Sequence, residues 1–185
     1  MKRVERNWSD GDRVDLQFPM AIRVKVWEHN RHTVSISRGP LTYSLKITER
    51  YTRHGGTDAW PAWDIFPESP WNYGLVLNEA EPAAGIRVVA KAWPADDQPF
   101  EANAAPLQLK VKARRIPEWQ LDATGLVSEV QESPVRSREP EEEVTLIPMG
   151  AARLRISAFP TIGEGAAAHD WKPPERPRSP TPPSG

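Results

Sequence analysis

The sequence predicts an all-β protein, an antiparallel, jelly-roll-like β-sandwich preceded by the last strands of another sandwich. Three observations carry this reading. Apolar residues recur at every second position along much of the chain, Gly and Pro cut the runs short (20 of 185 residues are Pro), and no amphipathic stretch of helical period reaches about ten residues.

The first expected strand spans 12–18, where Val14, Leu16 and Phe18 alternate with Asp15 and Gln17. Ile22, Val24 and Val26 mark a second at 22–27, and Val34 and Ile36 a third at 32–37. After the break at Gly39-Pro40, Leu41, Tyr43, Leu45 and Ile47 predict a strand at 41–47. Another is expected at 85–91. At 106–114, Leu107, Leu109, Val111 and Ala113 alternate with Gln108, Lys110, Lys112 and Arg114, an aliphatic face backed by a solvated basic one. The last two, 144–148 and 152–159, read as a hairpin joined by Pro148, Met149 and Gly150. Between Tyr51 and Asn72 alternation gives way to Gly, Pro and Trp, which reads as a long ordered loop carrying aromatic anchors. Residues 131–143 read as a mobile surface loop, and the final fifteen, with six prolines, as an extended or disordered tail. The expected division is 1–50 for the end of a first sandwich, 51–165 for a second, C-terminal one, and 166–185 for the Pro-rich tail.

Composition narrows the function. With no Cys there is no thiolate nucleophile, no disulfide and no Cys-type metal site. A net charge of −1 provides no field to gather a polyanion, so nucleic acid is not an expected partner. No run approaches the roughly 20 apolar residues of a membrane helix, and the N-terminus lacks the apolar region of a signal peptide. No membrane partner is expected, and the cytoplasm is the default location.

Motifs of catalysis are sparse. His29 and His32, three apart on a strand, point to opposite faces and do not converge on a metal. No Ser sits in a G-x-S-x-G context and no phosphate loop is present, so no catalytic residue, metal or cofactor is assigned. The aromatic loop is the one candidate surface. Trp60, Trp63 and Trp71 concentrate there beside Asp64 and Asn72, where an indole could cover the apolar face of a sugar while the polar groups orient its hydroxyls. The competing role for these rings is to plug the sandwich. It is the expected one, and Trp63→Ala should then cost the ~3–5 kcal/mol of a buried aromatic.

Four strings are more informative together than apart. Arg6 to Met20 (RNWSDGDRVDLQFPM), Ser37 to Ile47 (SRGPLTYSLKI), Pro67 to Leu77 (PESPWNYGLVL) and Glu141 to Pro160 (EEEVTLIPMGAARLRISAFP) resemble, in content and order, the C-terminal portion of glycoside hydrolase family 127, which includes β-L-arabinofuranosidases. The resemblance implies that this stretch is the β-sandwich region following a catalytic (α/α)6 barrel. It also implies that the barrel holds the catalytic machinery, a zinc-bound cysteine thiolate and a glutamate. None of that carries over to a chain without Cys. The expected function is therefore a non-catalytic portion supporting a separate or lost barrel domain or subunit. The alternative is a stand-alone module that binds arabinose-containing glycans.

Overall fold

The computed structural model describes residues 5–122 and 124–172. They form an all-β, sandwich-like fold of nine strands: β1 (Ile22–Trp27), β2 (Thr33–Arg38), β3 (Leu41–Leu45), β4 (Glu49–Gly56), β5 (Pro61–Pro67), β6 (Tyr73–Leu75), β7 (Arg87–Ala90), β8 (Leu107–Arg115) and β9 (Glu141–Pro148). Seven make one curled antiparallel sheet in the order β1-β2-β3-β9-β8-β6, with β7 also on β8, and β4 and β5 pair as a separate hairpin. Strands on both sides of residue 50, where one sandwich was expected to end, thus share a single sheet.

Alternation places the core. Val34 and Ile36 of β2, Tyr43 and Leu45 of β3, Val144 and Leu146 of β9, and Leu109, Val111 and Ala113 of β8 are all buried on one face. The register aligns them, with Leu45 and Leu109 both opposite Leu146 and Val111 opposite Val144. Gly39 and Pro40 join β2 to β3 in two residues, with Arg38 opposite Leu41. Gly39 adopts φ +56°, the left-handed conformation that a type II′ loop requires at its first position. β6 and β7 lie end to end along β8, Tyr73 to Leu75 against its C-terminal half and Arg87 to Ala90 against its N-terminal half.

Facing the sheet is a layer of irregular chain. Ile116, Trp119, Val135, Ile156, Phe159 and Trp171 bury themselves there, and Trp119 stacks between Trp71 and Trp171 at centroid distances of 5.3 and 5.4 Å. Residues 156–162 close the curl. Ile156 O accepts from Leu45 N, Phe159 exchanges two backbone bonds with Val34, and Pro160 O and Ile162 N bond Leu75.

Two expected strands are absent. Residues 12–18 enter no ladder, and every residue there is exposed, so the alternation of Val14, Leu16 and Phe18 buries no face among the described residues. Residues 152–159 do not form a hairpin with β9. The turn at Met149–Ala151 is a 3-10 helix, β9's two sides are already taken by β3 and β8, and only an isolated bridge from Val34 to Phe159 is made. The packed chain also runs past 165, since Trp171 is 7% exposed; residues 173–185 of the expected tail lie outside the described residues.

The inner layer makes stability sensitive to alkali. Tyr73's phenol is pushed up to about 12, first by burial and then by the Glu142 carboxylate beside it. The folded state therefore keeps its proton between the ordinary value of 10.0 and about 12 while the unfolded chain loses it. The contribution is complete below about pH 10 and is lost as pH rises toward 12. Urea midpoints should fall over that interval, and Tyr73→Phe should flatten the fall. At neutral pH, Trp119→Ala should cost ~3–5 kcal/mol, measured by the same unfolding curves.

Candidate functional site

The stretch expected to be a loop is a β-hairpin standing off the main sheet. Its register pairs Arg50 with Phe66, Tyr51 with Ile65, Thr52 with Asp64 and Arg53 with Trp63 before slipping at a bulge over His54. The sequence concealed it because Glu49-Arg-Tyr-Thr-Arg-His carries no aliphatic alternation, and most of both strands is exposed. Side-chain contacts hold the hairpin. Arg50 stacks on Phe66 at 4.8 Å, Tyr51 meets Trp63 edge to face at 6.4 Å, and His54 Nδ1 lies 3.1 Å from Asp64 Oδ1. At the tip, Thr57 and Trp60 exchange backbone bonds of 3.1 Å, and Arg53 reaches Asp58 at 2.8 Å. Gly56 sits at φ +75°, where a Cβ would run into the Trp60 carbonyl and the Ala62 amide. Only glycine fits that corner.

The five residues singled out from the sequence are not brought together. Trp60 projects from the tip at 83% exposure and Trp63 is 47% exposed. Asp64 follows Trp63 on one strand and so points to the opposite face, which prevents the two from holding a single sugar ring. Trp71 and Asn72 belong to the core. Trp71 packs on Trp119, and the Asn72 amide donates to the carbonyls of Ile116 at 2.9 Å and Trp119 at 3.1 Å, while Ile116 N donates back to Asn72 O. The role expected for all the rings is thus divided. Trp71 and Trp119 are plugs, whereas Trp60 and Trp63 are not.

The reading of the sequence passed over the hairpin's base. Glu49 ties the hairpin to the body, its Oε1 accepting from Arg153 N at 3.0 Å and Leu154 N at 2.9 Å, and its Oε2 from the Tyr51 hydroxyl at 2.8 Å. That hydrogen bond, aided by some burial, raises the Tyr51 phenol above its ordinary range. Beside this staple opens a cleft of about 430 Å³ lined by Lys46, Glu49, Tyr51, Glu101, Asn103 and Arg153 among others. The only signal was the Glu49-x-Tyr51 spacing, which places both side chains on one face of a strand. Glu101 and Arg153 come from segments about fifty residues further on each time, a convergence no local pattern encodes.

Among the described residues no three His, Asp or Glu side chains gather closely enough to hold a metal. No helix there is long and apolar enough to cross a membrane. Comparison with known proteins finds no matching family model, no matching curated protein and no matching solved structure.

Alanine substitutions should separate the two kinds of tryptophan. Trp60→Ala should change stability by no more than about 0.5 kcal/mol, the usual range at exposed positions, and Trp63→Ala should cost well under the ~3–5 kcal/mol of a buried ring. Asn72→Ala, which leaves the Trp119 carbonyl without its donor and takes one of two donors from the Ile116 carbonyl, should cost about 1–3 kcal/mol. Thermal or chemical unfolding of the three variants reads the order directly.

Proposed function

We propose that the chain is a non-catalytic β-sandwich portion of a glycoside hydrolase family 127-like protein, supporting a catalytic (α/α)6 barrel carried by another domain or subunit. The observation that favours it is the stripe Val14, Leu16 and Phe18, exposed at 55, 75 and 72%. These side chains alternate with Arg13, Asp15 and Gln17 as in a half-buried strand, yet nothing in the described residues covers them. They precede β1, which among the described residues pairs β2 on one side only, and whose Val26 and Trp27 are exposed at 52 and 41%. Contiguous apolar surface beside a free strand edge is what a missing neighbour leaves behind.

A second reading, in which the chain itself binds a glycan, is favoured by the exposed indoles of Trp60 and Trp63 on a hairpin whose other contacts are already satisfied. Open aromatic faces suit the apolar faces of sugar rings.

The first reading is tested by mixing the purified chain with a separately produced barrel of a family 127-like hydrolase. Co-elution on size exclusion is expected, together with its loss in Leu16→Asp and Phe18→Asp, while the melting temperature of the chain alone stays unchanged. Independent elution of the unaltered chain would overturn the reading. Alone, the chain should leave aryl arabinofuranosides intact, because it has no thiolate to attack them.

A further inference from the structure

The cleft at the base of the β4–β5 hairpin is lined by polar groups of both signs that have no partner among the described residues. The side chains of Lys46, Glu101, Asn103 and Arg153 make no hydrogen bond or ion pair with any described residue. Glu49, in contrast to Glu101, already accepts three hydrogen bonds and is fully employed in holding the hairpin.

The geometry points to a subsite for an acidic sugar, a uronic acid or a saccharide ending in one, with its carboxylate on Lys46 and Arg153 and its hydroxyls on Glu101 and Asn103. This deepens the second reading above and rests on it. Three features select that ligand class. A volume of about 430 Å³ admits one or two sugar rings. The ring of Tyr51, 47% exposed and braced edge-on by Trp63, presents an apolar wall. Lys46 itself faces cations, the charges that act on it being those of Lys91 and of Lys110, the latter shared with Glu143 at 3.8 Å.

Burial first, and then those two cations, hold Lys46 below the usual lysine range. A ligand carboxylate would relieve both costs, and its hydrogen bonds to ammonium and guanidinium would be of the stronger, charge-assisted kind. An ammonium ligand would meet the reverse. It would be repelled by Lys46 and Arg153 and would find one unused acid, Glu101.

The test compares oligogalacturonate with neutral oligogalactose of equal length, which differ at C6, by calorimetric titration of the full chain. Oligogalacturonate should bind about tenfold or more tightly than the neutral sugar at low ionic strength, with the preference shrinking as salt rises. Lys46→Ala and Arg153→Ala should erase the preference without altering the melting temperature, since neither side chain makes a bond in the fold and Glu49 uses only the Arg153 backbone. Glu101→Gln should weaken both sugars alike. Equal binding of the two sugars, or a preference untouched by Lys46→Ala, would overturn the subsite and leave the glycan reading standing. Failure of either sugar to bind would overturn both.

Discussion

The fold depends on the closure of a curled sheet by a segment that is not itself a strand. Residues 156–162 run from the end of β3, past β2, to β6, and give and take backbone hydrogen bonds with each. Without that segment Leu45, Val34 and Leu75 would have unpaired buried amides, each costing on the order of 1–3 kcal/mol. Phe159, fully buried where the segment crosses β2, also fills the space that the curl encloses. The hairpin inherits its position from the same stretch of chain. Arg153 and Leu154, just upstream of the closing segment, donate to Glu49, so the turn after β9 fixes both the core and the base of the candidate cleft.

This explains which parts of the structure were legible in the sequence. β1, β2, β3, β8 and β9 bury one face, and one-sided burial writes itself as alternation, so Val24, Ile36, Tyr43, Val111 and Leu146 announced their strands. β4 and β5 bury neither face against the core. What pairs them is Arg50 on Phe66 and Tyr51 on Trp63, contacts between residue types that also populate loops. The error at 152–159 has the opposite origin. Leu154, Ile156 and Ala158 do alternate, but alternation reports only that one side faces the core, and here the segment makes a single bridge to β2 and no continuous ladder.

The candidate site divides along the same line. Clustering in sequence suggested Trp60, Trp63, Asp64, Trp71 and Asn72 as one surface, yet a hairpin sends neighbours to opposite faces, and the entry into β6 pulls Trp71 and Asn72 under Trp119. Conversely, Lys46, Glu101 and Arg153 follow one another along the chain at intervals of some fifty residues. They meet because β3 exits toward the hairpin's base and the segment before β8 folds over it. A tryptophan count marks candidates of both kinds. Only the register separates a ring that faces solvent from one that fills the core.

The N-terminal stripe carries the alternation argument to its limit. Val14, Leu16 and Phe18 have the period of a strand and, in the described residues, none of a strand's consequences. Apolar burial is worth roughly 25 cal/mol per Å², so three such side chains left in water forgo several kcal/mol that a partner surface would recover, provided the gain exceeds the entropy of ordering the segment. β1 adds a row of backbone groups that β2 does not use, and Lys25, lying over Trp27 at 3.6 Å, covers part of the exposed face. A stray exposed leucine would need no explanation. An amphipathic strand pattern beside an unpaired edge does, and the account that satisfies both the pattern and the edge is a neighbouring polypeptide surface that buries the one and approaches the other.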